Sequence, residues 1–304
     1  MGIFVFNPIE RELGNDIQSR PDVERLKRRR DLPRSVTVLR DDLAATLAPL
    51  TSLDGPLRHV EVRDTIGSTN AEALEDGREG LVLVALEQTE GRGRHGNTWS
   101  SPRGGLYLSY VPPLAMIPQR PTDLSLVASL AVATSVDKTL EDAGVREPRA
   151  LLKWPNDVLV GDGKVAGVLV QSREPPMAVV GVGLNVNALP DLLEERAPEE
   201  WPVGPMALCQ VAGRPLDLRV LAPTLVSELS RRVREGLDAS AFEEYRRRCH
   251  TLGRRVTFSE GERRVEGTAV DVDPEGGGLL VRVEGGQVRR VTSGMVHHVR
   301  SEKG

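Results

Sequence analysis

Aromatic residues make up 3% of this 304-residue chain, so Ala, Val and Leu must fill whatever core it builds. Cysteine is almost as scarce. Cys209 and Cys249 match no metal-binding or redox spacing, and a chain this long needs no disulfide staple, so a reduced, cytoplasmic setting is expected. No apolar run approaches the roughly 20 residues that cross a bilayer. The start, Met1-Gly-Ile-Phe-Val-Phe-Asn-Pro, has neither the basic stretch nor the apolar length of a secretory signal, and Phe6 stands where a myristoylation motif wants Ser or Thr. A formal charge of −4 gives no overall field favouring DNA or an anionic membrane, so neither is expected as a partner.

What is present is an ordinary globular composition, 39% hydrophobic and 28% charged, in three zones of different character. Residues 1–55 are punctuated by Asn7-Pro8, Arg20-Pro21 and Leu32-Pro33. They carry the basic cluster Lys27-Arg-Arg-Arg30, read as a solvated helix face, and a short helix at 40–47. The prolines interrupt the 3.6-residue period too often for a tri-helical DNA-binding module. Residues 56–248 alternate strands with helices. Residues 249–304 hold short alternating strands at 255–258, 264–272, 279–284 and 288–292, separated by glycine-rich turns, which is the pattern of a small barrel.

In the middle zone, 59–62 and 81–86 read as strands, and Ser68-Thr69-Asn70-Ala-Glu72 as a helix start with Thr69 as N-cap and Glu72 as its capping-box partner. Residues 124–140 form the clearest buried helix, ended at Ala143-Gly144. Residues 150–153 are extended, Trp154-Pro155-Asn156-Asp157 breaks the strand, and 158–160 resume it. Gly161-Asp162-Gly163 then turns the chain into 164–171 as a hairpin. A last strand covers 177–187. After a Pro/Glu-rich stretch at 190–205, helices are expected at 218–236 and 241–249.

The strand at 81–86 runs into Glu87-Gln88-Thr89-Glu90-Gly91-Arg92-Gly93-Arg94-His95-Gly96-Asn97-Thr98-Trp99, with three glycines and two arginines within six positions. Glycines let the backbone approach an anion and each arginine offers a planar fork of donors, so this loop suits a carboxylate or a phosphate. The spelling Gly91-x-Gly93-x-x-Gly96 matches the dinucleotide fingerprint, but no helix opens after it and no acidic residue follows at the required spacing. Gly163-Lys164 likewise lacks the flanking pattern of a P-loop. No His, Glu or Cys cluster has metal-ligand spacing, and no Ser/His/Asp set stands out.

Strand periodicity places Gly181, Gly183, Asn185 and Asn187 on one face and Val180, Val182, Leu184 and Val186 on the other. A face without bulk at the glycines and with amides at the asparagines reads as a ligand floor. The same periodicity puts Lys164 on the side of Ala166 and Val168.

Taken in order, five segments resemble the motif series of biotin protein ligases: Ser68-Thr69-Asn70; Gln88-Thr-x-Gly91-Arg92-Gly93-Arg94-His95-Gly96 with Trp99; Lys153-Trp154-Pro155-Asn156-Asp157; Lys164-Val-Ala-Gly167-Val-Leu-Val; and Gly181-Val-Gly183-Leu-Asn185-Val-Asn. The resemblance covers about residues 60–187 and continues weakly through the terminal barrel. It implies an α+β fold, with a mixed sheet backed by helices as in class II aminoacyl-tRNA synthetases, followed by an SH3-like barrel. It implies an ATP- and Mg2+-dependent ligase that converts biotin to biotinyl-5'-adenylate and passes the biotinyl group to a lysine of a biotin carboxyl carrier protein, as in acetyl-CoA carboxylase. By the same resemblance Ser68, Thr69, Asn70, Gln88, Arg92, Gly93 and Arg94 surround biotin. Arg94 and Lys164, the expected catalytic pair, contact its carboxylate or the phosphate. Trp99, Asn156, Asp157 and Asn185 line the adenylate, with Asp157 the candidate magnesium ligand.

Two positions depart from the pattern: Asn97 stands where many members have arginine, and Met295 where they have an acidic residue. Of the rival readings, a lipoate-type ligase would show an arginine-pair, triple-glycine loop that is not found. A bifunctional biotin ligase and repressor would need a winged helix, and residues 1–55 have the wrong pattern for one. A non-catalytic biotin-binding protein is the plainest alternative. A homodimer is left open.

Overall fold

A computed structural model describes residues 40–118, 120–173, 177–189, 204–261, 263–292 and 296–298. The basic cluster at 27–30, nearly all of the Pro/Glu-rich stretch and Met295 lie outside the described residues. In chain order, helix α1 (Arg40–Leu47) precedes β1 (His59–Arg63), α2 (Thr69–Asp76), β2 (Leu81–Ala85) and β3 (Leu106–Tyr110). A long helix α3 (Pro121–Asp142) then leads into four consecutive strands, β4 (Ala150–Lys153), β5 (Asp157–Val160), β6 (Gly163–Arg173) and β7 (Met177–Leu184). Helices α4 (Leu208–Ala212), α5 (Leu218–Glu235) and α6 (Ala239–Arg248) follow. The chain closes with β8 (Arg255–Glu260), β9 (Arg263–Val272), β10 (Leu279–Val283), β11 (Val288–Val291) and β12 (His297–His298).

Strands β1 to β7 form one mixed sheet in the order β1-β2-β3-β7-β6-β5-β4, parallel between β1 and β2 and antiparallel elsewhere. Its two faces follow the period of two. Val82, Val84, Leu106, Leu108, Tyr110, Val180, Val182 and Leu184 join the main core, where α3 packs on the sheet and α5 packs against α3. Leu81, Leu83, Ala85 and Val179 point the other way, into a smaller cluster with Ala73 of α2. That second face carries the site. A separate five-stranded antiparallel sheet, ordered β11-β10-β9-β8-β12, makes up the C-terminal unit, so the expected α+β architecture is found. No helix among the described residues is long and apolar enough to cross a membrane.

Three local expectations shift. Ser68, not Thr69, caps α2: its side chain accepts from the Ala71 N–H, while Thr69 is already helical and bonded to Gln88. Helix α3 starts three residues earlier than the apolar period suggests, because Pro121 fits the first helical turn, where its missing N–H costs nothing. Strand β7 ends at Leu184 rather than Asn187. The Asn187 side chain is bonded at both ends to Leu216, donating to its carbonyl and accepting from its N–H at 2.8 Å each, and so anchors the loop before α5.

The two sheets are joined at the β4–β5 turn. The Trp154 indole donates to the Gly277 carbonyl at 2.8 Å, the Trp154 N–H donates to Thr251 Oγ1 at 3.0 Å, and Arg246 grips Asp271 with two bonds of 2.7 and 2.9 Å. His298 lies 3.1 Å from Thr251 Oγ1 and beside the His250 ring. Burial, with the positive charge of Lys153 adding to it, drives the His298 pKa down from 6.5 to about 3. The unfolded chain therefore takes up a proton between about pH 6.5 and pH 3 that the folded one refuses, so stability is full above pH 6.5 and falls as the pH drops through this window. Urea midpoints at pH 7 and pH 5 should differ in the wild type and differ less in His298→Asn; equal pH dependence in both proteins would remove His298 as the cause.

Candidate active site

The site is assembled on five neighbouring strands. Register aligns Tyr107, Gly183, Gly167, Asp157 and Lys153 in one row across β3, β7, β6, β5 and β4, so all five present side chains, or their absence, to the same face. Ser109, Gly181 and Leu169 form the next row on one side, Lys164, Leu159 and Leu151 the next on the other.

Lys164 reaches this face because of a bulge. Periodicity alone had set it with Ala166 and Val168, but the β5–β6 register slips between Val158 and Leu159, and the extra residue, Val165, turns Lys164 toward Asp157 and Gly167. Its Nζ lies 2.7 Å from Asp157 Oδ1 and 5.2 Å from the centre of the Trp99 ring.

The glycine face is occupied by the protein itself. A Cβ on Gly183 would lie 2.4 Å from Trp99 Nε1, one on Gly167 2.9 Å from the same ring, and one on Gly181 2.1 Å from Asn70 Oδ1. The absent side chains therefore seat an indole and an amide, which corrects the reading of a bare ligand floor. Trp99 Nε1 is buried with no hydrogen-bond partner in the structure.

Above the Gly181 row lies a neutral polar network. Ser68, Thr69 and Asn70, at the start of α2, are each 4% exposed. Gln88 Oε1 accepts from Thr69 N and Oγ1 at 2.8 and 3.0 Å, and Gln88 Nε2 donates to Ser101 Oγ at 2.8 Å. Ser109 Oγ bonds Thr69 Oγ1 and Asn70 Oδ1 at 2.9 and 2.6 Å, and Asn70 Nδ2 donates to Gln171 Oε1 at 2.9 Å. Ser101, Ser109 and Gln171 escape the sequence reading because each sits inside an ordinary strand or turn with no motif around it.

The glycine–arginine loop closes on itself. Gly93 N–H donates to the Asn97 carbonyl at 2.7 Å, Arg92 bridges Thr98, and His95 and Gly96 take left-handed conformations at φ 56° and 75°. Gly91 has no room for a side chain, since a Cβ would lie 2.3 Å from the Trp99 carbonyl oxygen. Arg94 points inward and donates to Asn156 Oδ1 at 3.1 Å, and Asn156 in turn donates to the Val168 carbonyl. Burial lowers the Arg94 pKa, against the opposing pull of Asp157. Arg92 stands exposed and is not drawn into this cluster.

Asn185 is 3% exposed, and its Nδ2 donates to the carbonyls of Lys164 and Met206 at 3.4 and 3.3 Å. It holds the backbone under Lys164. Lys153 is a residue that the sequence reading left without a role. It stands opposite Asp157 in the β4–β5 hairpin, and burial, with the charge of Lys164, pushes its pKa down while Asp157 pulls it up. The hairpin pairing is the signal that could have found it.

Among the described residues no group of three His, Cys, Asp or Glu side chains could hold a metal. Asp157 offers a single carboxylate. Mg2+ commonly takes one or two carboxylates and fills its other positions with water and substrate phosphate, so the residues fit an ion that arrives with its nucleotide.

The family model for biotin/lipoate A/B protein ligases matches residues 64–187, and that for the biotin protein ligase C-terminal domain matches 251–299. The biotin–[acetyl-CoA-carboxylase] ligase of Mycobacterium tuberculosis (strain ATCC 25618 / H37Rv) is 36% identical over 253 residues, which cover 80% of this chain and 90% of that protein. The bifunctional ligase/repressor BirA of Escherichia coli (strain K12) is 31% identical over 243 residues, covering 76% and 71%. A solved structure of the biotin protein ligase from Aquifex aeolicus, in complex with biotin and ATP, aligns with a TM-score of 0.66 at 28% identity, covering 81% of this chain and all of that one. The chain belongs to the biotin/lipoate A/B protein ligase family, and among its branches to the biotin protein ligases.

The seat of Trp99 gives a direct test of the geometry. Gly183→Ala should expel the indole at a cost of about 2 kcal/mol, which raises the population of the open loop about thirtyfold. Tryptic cleavage after Arg92 and Arg94 should accelerate by a similar factor, because cutting follows the open population. A well-folded Gly183→Ala protein cut no faster than wild type would mean that the glycine pair does not hold the loop.

Proposed function

We propose that this ligase activates biotin as biotinyl-5'-adenylate and then transfers the biotinyl group to a lysine of a biotin carboxyl carrier domain of acetyl-CoA carboxylase or a related carboxylase, in the cytoplasm. The observation that carries this reading is the order of polarity along one sheet face. A neutral hydrogen-bonding network around Ser68, Thr69, Asn70 and Gln88 gives way to the flat apolar Trp99 ring, and that to the cations Arg94, Lys164 and Lys153 about Asp157. Biotin has the same order: a neutral ureido ring, a hydrocarbon chain and a carboxylate.

In the first step a biotin carboxylate oxygen attacks the α-phosphorus of ATP and pyrophosphate leaves with its bonding pair. Two anions must meet, so Arg94 and Lys164 draw them together and balance the charge that builds at phosphorus. Asn156 steers Arg94, and the Asn185 amide steadies the Lys164 backbone. Mg2+, held through Asp157 and the phosphates, would neutralise further phosphate charge. Arg92 and Gly93 lie in the loop that orders over the adenylate, which shields the mixed anhydride from water. In the second step the carrier lysine, as a free amine, attacks the acyl carbon; AMP leaves and the amine proton is lost to solvent.

The test is transfer of labelled biotin to a purified carrier domain with ATP, against lipoate as a competing acid; transfer of lipoate in preference to biotin would overturn the assignment of substrate. Arg94→Ala should slow adenylate formation about a hundredfold, equivalent to roughly 3 kcal/mol of lost charge-assisted bonding. Lys164→Ala should impair adenylation more than transfer from supplied biotinyl-adenylate. Equal losses in the two half-reactions would count against a phosphoryl-side role for Lys164.

A further inference from the structure

We infer that an arginine-lined cavity at the margin of the large sheet, where the backbone of Cys249 and His250 pairs with β4, is the docking site for an acidic loop of the protein acceptor. This rests on the ligase reading and extends it to how the second substrate is held. The cavity has a volume of about 420 Å3 and is lined by Leu151, Arg247, Arg248, His250, Leu252 and Arg254, with no carboxylate on its walls. On a chain of formal charge −4, that is a local reversal of sign.

The arginines divide into two kinds. Arg248 is structural: it bonds Asp137 at 2.7 Å, Glu244 at 3.2 Å and the Ala150 carbonyl at 3.1 Å, so its charge is largely balanced. Arg247 and Arg254 are exposed. Arg254 donates through Nε to the His250 carbonyl at 2.9 Å, which aims its guanidinium without neutralising it. Asp162 acts on His250 from nearby, but Arg254 and Lys153 act on it with the opposite sign, and burial holds the imidazole pKa down. The positive charge open to a partner is therefore that of Arg247 and Arg254.

Position makes this cavity relevant to chemistry. Leu151 lies two residues from Lys153 on β4, both half-buried on the same face, about 7 Å apart. The row Leu151–Leu159–Lys164 puts the cavity two strand spacings, about 10 Å, from Lys164. Strand β4 is the last in the sheet and is bordered outside by the bridge of Leu152 with Cys249, so the cavity lies at the sheet margin, away from the loop that carries Arg94. A space of this size takes a loop tip of a few side chains, not a folded surface, and its sign selects Asp and Glu. A nucleic acid would need a longer basic track.

The experiment compares wild type with Arg247→Glu/Arg254→Glu and with Arg247→Gln/Arg254→Gln. Biotinyl-adenylate formation is measured without acceptor, and kcat/KM for a biotin carboxyl carrier domain is measured at saturating biotin and ATP. Expected are unchanged adenylate formation in all three, a loss in carrier kcat/KM of about thirtyfold for the Glu pair and a smaller loss for the Gln pair. The wild-type carrier kcat/KM should also fall between 50 and 300 mM salt, and that of the Gln pair should be nearly flat. An unchanged carrier kcat/KM in the variants overturns the proposal, even if their stability drops, since the arginines would then serve the C-terminal end of α6 alone. A loss confined to adenylate formation, or competition at the cavity by inorganic phosphate, also overturns it in favour of a small-anion site. Wild type that forms no adenylate at all would instead sink the ligase reading.

Discussion

An indole lies flat on the sheet where two side chains are missing, and the rest of the site depends on that contact. Gly167 and Gly183 are register partners on β6 and β7, and any Cβ at either would meet the Trp99 ring. With the ring seated, the Trp99 backbone N–H donates to the Gly91 carbonyl at 2.9 Å, the short hairpin between Arg92 and Thr98 is fixed, and Arg94 is delivered to Asn156. Lys164 covers the exposed side of the ring from 5.2 Å. A packing contact thus sets the position of two cations, and a buried indole N–H without a partner is tolerated for it.

The cations raise a second constraint. Arg94, Lys153 and Lys164 share the neighbourhood of Asp157, one negative charge against three positive ones. Taking ions out of water costs several kcal/mol each unless they are paired, so the arrangement destabilises the ligand-free protein and favours an anion that restores the balance. Burial lowers the pKa of both Arg94 and Lys153, while the nearby Asp157 charge opposes the shift. Excess positive charge of this kind would be a defect in a purely structural hairpin. In the proposed site, which would bring a carboxylate and a triphosphate together, it is what the reaction calls for.

Much of the fold was legible in the residues. The Gly161-Asp162-Gly163 turn fixed the β5–β6 hairpin, and the period of two assigned the faces of β7 correctly. What failed did so where local pattern meets tertiary structure. Periodicity shows that Gly181 and Gly183 leave space but not what fills it, and Trp99 comes from a loop and Asn70 from the first turn of α2, whose paths no strand pattern contains. Lys164 was set on the wrong face because one bulged residue inverts every parity argument beyond it. Thr69 looked like a cap because its hydroxyl suits one; the neighbouring Ser68 does the capping because Gln88, nineteen residues away, claims Thr69. Lys153 carries no signal of its own as the last residue of a short extended segment; its place opposite Asp157 comes from the β4–β5 pairing.

The contact between the C-terminal unit and the β4–β5 turn bears on how the two sheets cooperate. Among the described residues the C-terminal sheet adds no carboxylate to the cluster around Asp157, but it closes the β4–β5 turn from outside through Trp154, Thr251 and Gly277. The turn follows the half-buried Lys153, whose charge reaches His298 of that unit, and partial burial lets the charge act over a distance that water would otherwise screen. Removing the C-terminal sheet would leave all five sequence motifs in place and still weaken the field they create, because a charge at a hydrated edge interacts at a dielectric constant several times higher. The unit is thereby part of the electrostatics of the site, although none of the motif residues belongs to it.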